Sequence, residues 1–158
     1  MATVNSALTQ TESQANSQTP IPRLDLSERE AASLLLDVRG ARAILRTVIL
    51  AIRAQEDHSI VFDDKAGTER WSPAVGEALE RLGAVRSVLV NAKNGHFVDW
   101  VKPINLVEAV DAALWHGYTC PPDDGLKPQE LLTALKMSIG AIDELLRQCE
   151  MVCGVTHG

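Results

Sequence analysis

The chain has few aromatic side chains, few cysteines and no long apolar run. Aromatic residues make up 4% of its 158 residues, and because strands favour aromatic and β-branched side chains, this scarcity argues against a sheet. Three cysteines are an odd number for a disulfide framework and indicate a reducing compartment, so we expect a cytoplasmic protein. No segment has the roughly 18 consecutive apolar residues that a membrane span needs, so no membrane association is expected.

Positive charge is also in deficit, since the formal net charge is -6 at pH 7. Binding to a nucleic-acid backbone depends on a basic field that releases counterions, so nucleic acid is not expected as a partner. The glycine patterns of nucleotide-binding loops and the serine motif of acyl-transfer enzymes are missing as well. These absences predict a protein that is not an enzyme and that uses no cofactor.

The composition divides the chain into three parts. Residues 1–22 are rich in Ser, Thr, Gln and Asn and contain a single charged residue, Glu12, a composition that predicts a disordered N-terminal arm. Residues 23–154 contain the apolar pattern of a single helical domain, and residues 155–158 form a tail. With 46% hydrophobic residues overall, a domain of this length can bury a substantial core.

The first helix is predicted from about Ser27 to about Gln55. Ser27 and Glu30 have the spacing of a capping box, in which each side chain bonds the backbone of the other residue. Apolar residues then recur at helical spacing and predict the buried face of this helix: Leu34, Val38, Ala41, Leu45, Val48 and Ile52. The following stretch, residues 56–71, is interpreted as a loop in which Ser59 to Phe62 can form a short strand.

Two structures are compatible with the segment that follows. Ser72 and Pro73 have the order of a helix cap and a first-turn proline, which predicts a helix start. The favoured interpretation continues this helix through Gly83 to a stop at Asn94-Gly95, with an apolar stripe formed by Val75, Ala78, Leu82, Val85 and Leu89. The alternative ends the helix at Gly83 and makes residues 86–101 a small hairpin, because Asn-Gly between apolar runs is typical of a hairpin turn. That alternative gives an α+β fold.

Two further helices complete the predicted fold. Asn105 and Glu108 repeat the capping spacing and predict a third helix that ends before Gly117. A fourth helix is predicted from Pro128 to about Cys153, with an inner stripe of Leu131, Leu135, Ile139, Ile142, Leu146, Cys149 and Cys153. The prediction is therefore an all-α bundle of four main helices.

Three of the helices share a Gly-Ala pair, at Gly40, Gly83 and Gly140. A glycine inside a helix costs about 1 kcal/mol relative to alanine, so a shared pair predicts close helix–helix approach where no side chain fits. The alternatives are a duplicated helical hairpin and chance recurrence in an alanine-rich chain.

The first helix also carries a basic ridge. Arg39, Arg42, Arg46 and Arg53 fall within one narrow arc beside the core stripe at about 100° per residue. They can bind an acidic partner, or they can pair with acidic residues of neighbouring helices: Glu77, Glu80, Glu108, Asp111, Asp143 and Glu144. Leu36 and Leu50 lie away from the core stripe and indicate a protein contact, such as a dimer interface. These six residues, four Arg and two Leu, are the predicted partner-binding set.

Two other clusters are weaker candidates for chemistry. Cys149, Cys153 and His157 follow one another at intervals of four residues, as do His116 and Cys120, which is compatible with a metal site. The first two cysteines nevertheless continue an apolar stripe, so we predict core residues and no metal. The acidic stretch Glu56, Asp57, His58, Asp63 and Asp64 is interpreted as a solvated loop.

The sequence thus leads to two hypotheses of function. The first is a non-enzymatic protein–protein interaction or regulatory module that associates with a protein partner, including a second copy of itself. The alternative is a helical bundle that binds a small ligand or a metal ion at its Cys/His end.

Overall fold

The computed structural model describes residues 22–57, 64–119 and 127–155, and the chain within these ranges is helical. Four α-helices span α1 (Glu28–Asp57), α2 (Asp64–Asn91), α3 (Val101–Thr119) and α4 (Pro128–Cys153), and a short 3-10 helix spans Gly95–Phe97. No strand occurs in the described ranges. The predicted all-α bundle is confirmed, and the hairpin alternative over residues 86–101 is wrong. The arm predicted over residues 1–22 lies, except for Pro22, outside the described residues.

The four helices are arranged as a ring around one core. α1 packs against α2 and α4, and α3 packs against α2 and α4. Within the described ranges, the diagonally opposed helices do not pack against each other. Each helix therefore has two neighbours and an outer face that no other described helix covers. None of the described helices is both long enough and apolar enough to cross a bilayer.

α1 begins at its predicted capping box. The Ser27 backbone N–H donates to the Glu30 carboxylate at 2.9 Å, and the Glu30 N–H donates to the Ser27 hydroxyl oxygen at 3.3 Å. The hydrogen bond from the Ser27 hydroxyl lowers the pKa of Glu30, which is therefore ionised at neutral pH and matches the positive end of the helix dipole. All six residues of the predicted inner stripe are buried: Leu34, Val38, Ala41, Leu45, Val48 and Ile52.

α2 begins at Asp64, eight residues before the predicted start at Ser72. Pro73 is inside the helix and leaves one backbone carbonyl without its helical donor, a cost that packing must offset. Trp71 and Val75, on either side of this proline, are both buried in the core. Ser72 is not a cap, because it lies inside the helix and its hydroxyl donates to Asp111 of the neighbouring α3 at 3.4 Å. The predicted loop is thus wrong for residues 64–71, and Ser59 to Phe62 lie outside the described residues.

The continuation of α2 through Gly83 is confirmed, and its apolar stripe is buried as predicted. The helix ends at Asn91, and Asn94 adopts a left-handed φ of 69° in the turn that follows. A β-carbon at Gly95 would lie 1.8 Å from the carbonyl oxygen of Leu89, so only glycine fits there. The Asn-Gly pair therefore closes a helix–helix connection and does not turn a hairpin.

α3 begins at Val101 and not at the predicted cap Asn105, which lies in the second turn. The carboxylate of Asp99 accepts a hydrogen bond from the Lys102 backbone N–H at 3.3 Å and supplies the cap. Gly117 is part of the helix, which continues to Thr119.

α4 has the predicted bounds. It starts at Pro128 and ends at Cys153, where Gly154 takes a left-handed φ of 73° as the C-cap. Its buried face is wider than predicted, because α4 packs against both α1 and α3. Ile139, Leu146 and Cys153 of the predicted stripe are only partly buried, and the core also contains Leu132, Leu145 and Val152.

The Gly-Ala pairs do not share a structural role. A β-carbon at Gly40 would lie 3.0 Å from Nη1 of Arg81, so this glycine makes room for a side chain of α2. At Gly83 and Gly140 a β-carbon would meet nothing within 4 Å. The prediction of close helix approach at all three glycines is therefore wrong.

Substitution of the two unobstructed glycines is expected to stabilise the protein. Gly83→Ala and Gly140→Ala should each raise the free energy of unfolding by about 0.5–1 kcal/mol, because alanine has the higher helix propensity and the space is open. Gly95→Ala is the contrasting variant and should lower it by roughly 1–3 kcal/mol, since the backbone must shift. Urea denaturation measures all three, and a loss of stability in Gly83→Ala and Gly140→Ala would contradict this assignment.

Candidate partner-binding surface on helix α1

The outer face of α1 exposes two large leucines in line with each other. Leu36 is 66% exposed and Leu50 is 62% exposed, 14 residues further along. Ala43 lies midway between them and is also exposed, so the three residues repeat every seven positions. At 1.5 Å per residue they form an apolar strip about 21 Å long. We call Leu36, Ala43 and Leu50 the α1 outer strip.

Two of the four predicted arginines bind α4. Arg39 pairs with Glu150 at 2.9 Å, and Arg42 donates a hydrogen bond from Nε to Asp143. The side chain of Glu150 is only 12% exposed, so its charge depends on nearby donors, and Arg39 is one of them. These two pairs connect α1 to α4.

The other two arginines, Arg46 and Arg53, are exposed along the same edge of α1. Neither forms an ion pair with a described side chain. The predicted basic ridge is thus divided into Arg39 and Arg42, which form ion pairs with α4, and Arg46 and Arg53, which form none with a described side chain. Of the six acids predicted as partners of this ridge, Asp143 is used. Glu150 was missed, although it lies seven residues after Asp143 on the same helix.

The opposite edge of the α1 outer strip faces α2 and is covered by the side chain of Arg81. This side chain lies over Gly40, with Nη1 at 3.5 Å from Asp37 and Nε at 3.0 Å from Glu77. One arginine between two carboxylates, one on each helix, leaves this group with a net charge of -1. The two edges of the strip therefore differ in charge, and the arginines without a described ion pair lie on the edge facing α4.

The described Cys and His residues at the predicted Cys/His end do not form a metal site. Cys149 is fully buried, and burial raises the pKa of its thiol to about 12, with smaller contributions from Cys153 and Glu150. Burial also raises the pKa of the partly buried Cys153. Since metals bind the thiolate, such a shift opposes metal binding at these sulfurs. Both His157 and Cys120 lie outside the described residues, and His116 is exposed on α3.

No group of three or more described His, Cys, Asp or Glu residues is placed to hold a metal ion. The side chains of the acidic stretch, Glu56 to Asp64, lie outside the described residues. The solvated loop therefore stays a prediction.

A cavity between α3 and α4 was not predicted from the sequence. Its volume is about 340 Å³. It is lined by Asp99, Lys102, Pro103, Leu106, Met137, Gly140, Ala141 and Glu144. Hydrogen bonds from Arg147 and then Gln148 lower the pKa of Glu144 to about 2, so the cavity keeps a carboxylate charge at neutral pH. No single residue pattern could have predicted this cavity, because it depends on how far α3 and α4 stand apart.

Comparison with protein-family models, with curated proteins and with solved structures finds no match to this chain.

The division of the arginines can be tested by stability. Arg39→Met removes a charged donor from the largely buried carboxylate of Glu150 and should lower the free energy of unfolding by about 1 kcal/mol. Arg46→Met, which breaks no described ion pair, should change it by less than about 0.5 kcal/mol. Chemical denaturation of the two variants gives the comparison, and equal effects would show that Arg39 has no special structural role.

Alkaline stability tests the burial of Cys149. The pKa of its thiol is raised to about 12 in the folded protein from an ordinary 9.0, so above pH 9 the unfolded chain loses this proton first and becomes relatively more favourable. The free energy of unfolding should therefore fall more steeply between pH 9 and 11 in the wild type than in Cys149→Ala, by up to about 1 kcal/mol per pH unit. Cys153→Ala is the control and should change the slope less. Identical slopes in the wild type and Cys149→Ala would mean that the thiol is not desolvated.

Proposed function

We propose that this protein is a non-enzymatic interaction or regulatory module that binds a protein partner through the α1 outer strip and through Arg46 and Arg53 beside it. The observation that supports the proposal is the alignment of two leucines, each more than 60% exposed, with Arg46 and Arg53. Exposed leucines are common on protein surfaces, but an aligned apolar strip with a charged edge has the composition of an interface. The odd cysteine number supports a cytoplasmic site of action.

The energetics indicate how large the contact has to be. Burial of Leu36 and Leu50 contributes roughly 1.5–3 kcal/mol each. Association costs an estimated 4–15 kcal/mol in lost freedom of motion, so the two leucines alone do not hold a stable complex. The partner must therefore bury more than these two side chains, and charge-assisted hydrogen bonds to the guanidinium groups of the arginine edge add to the apolar contribution.

A small-ligand-binding bundle is the second candidate, and the cavity between α3 and α4 is the observation that favours it. A volume of about 340 Å³ lies at the lower end of the range for ligand sites. Its lining combines apolar side chains, such as Leu106 and Met137, with the charges of Lys102 and Glu144. A ligand there would bind far from the α1 outer strip, on the opposite side of α4.

Variants with matched exposure test whether the protein contact is on α1. Leu36→Ser/Leu50→Ser should abolish capture of the partner from native lysate while leaving the fold unchanged by circular dichroism, because both side chains are on the surface. Val90→Ser/Met137→Ser is the control, since Val90 is 61% and Met137 is 59% exposed on other helices. Equal capture by the Leu36/Leu50 variant and the wild type, or loss only in the control, would contradict the assignment of the contact to α1.

A further inference from the structure

We propose that the partner segment on the α1 outer strip is an acidic amphipathic helix of a different protein, and not a second copy of this chain. This inference rests on the proposed function and names the chemistry of its partner. It depends on the spacing of the strip, on the charge along its edges and on which charged residues the pairing of two copies would bring together.

The spacing fits a helix as the partner. Leu36, Ala43 and Leu50 repeat every seven residues, which is the repeat that keeps one helix in register with another along a shared seam. The small side chain of Ala43 between the two leucines allows a second backbone to approach closely at the centre of the strip. A helix of about three heptads crossing α1 at about 20° would cover the full strip.

The charge along the edge fits acidic side chains on that helix. Arg39, Arg46 and Arg53 also repeat every seven residues and lie on one edge of the strip. Glu150 already pairs with Arg39, which leaves Arg46 and Arg53 without a described ion-pair partner. A helix that carries glutamate or aspartate one heptad apart beside its apolar seam would pair with both arginines. The protein's net charge of -6 opposes this contact only weakly, because salt screens charges beyond about 8 Å.

Twofold symmetry works against a second copy in an antiparallel arrangement. In a pairing centred on Ala43, residues whose numbers add to 86 lie level, so each Leu36 packs against Leu50 of the copy. Arg39 then lies within one residue of the level of Arg46 of the copy, on the same edge. Edge residues of paired helices stabilise the pair when their charges are opposite, and here they are alike.

A parallel arrangement of two copies is no better. The arginine edge of one copy then faces the edge of the other that holds Asp37, Ile44 and Ala51. The α1 carboxylate on that edge, Asp37, is nine residues or about 13 Å along the helix from the level of Arg46, and it already contacts Arg81. The self-association expected from the sequence is therefore disfavoured at this surface.

Two synthetic peptides of about three heptads test the proposal. Both have leucine along one seam, and they differ only in the flanking positions, which are glutamate in one peptide and lysine in the other. Binding to the full chain is measured by fluorescence anisotropy at low and at physiological salt. The glutamate peptide should bind at least about tenfold more tightly than the lysine peptide, and the difference should shrink as salt rises.

Charge reversal on the protein provides the matched control. Arg46→Glu/Arg53→Glu should no longer bind the glutamate peptide and should bind the lysine peptide. Lys93→Glu/Lys136→Glu changes the net charge equally at positions on other segments and should keep the wild-type preference. If the wild type binds both peptides equally, or neither, or if the two charge-reversed variants behave alike, the acidic-helix proposal is wrong.

Light scattering distinguishes that failure from failure of the proposed function. A dimer that Leu50→Ser dissociates, together with no preference for the glutamate peptide, would overturn the acidic partner and retain the α1 outer strip as an interface. A monomer that prefers neither peptide, with lysate capture unaffected by Leu36→Ser/Leu50→Ser, would overturn both.

Discussion

The packing of the apolar stripe of α1 between α2 and α4 is the interaction on which the rest of the structure depends. Leu34, Leu45 and Ile52 have no exposed surface, so the inner face of α1 is fixed by the core. With 3.6 residues per turn, the opposite face is then fixed as well, and Leu36 and Leu50 must point to solvent. The exposure of these leucines is a geometric consequence of the core and not a local irregularity of the helix.

The ion pairs between α1 and its neighbours make the two edges of the α1 outer strip different in charge. Arg39 and Arg42 pair with Glu150 and Asp143, whereas the next two arginines along the edge form no ion pair with a described side chain. On the other edge, Arg81 is bracketed by Asp37 and Glu77. A weakly acidic edge and a basic edge on one apolar strip specify a partner by charge more than by buried area. This is the physical basis for separating an acidic partner from a second copy.

The sequence predicts helix bounds well where the signal comes from neighbouring residues. It predicts them less well where a side chain bonds to another helix. Pro128 and Gly154 are clear start and stop signals for a helix, and α4 has the bounds that they predict. Ser72 has the pattern of a cap, yet its hydroxyl bonds to Asp111, so tertiary packing overrides the local signal. The basic ridge is visible in the sequence, but which of its arginines form described ion pairs depends on which acidic residues of α4 lie beside them. For the same reason the cavity between α3 and α4 has no counterpart in any sequence pattern.

Site-specific photo-crosslinking in living cells tests most directly whether α1 is the contact surface. A benzoylphenylalanine at position 43 places the reactive group at the centre of the α1 outer strip, and one at position 137 places it beside the cavity between α3 and α4. The proposed contact predicts discrete covalent adducts from position 43, mapped to an acidic helical segment of another protein, and none from position 137. Adducts from position 137 alone would contradict it.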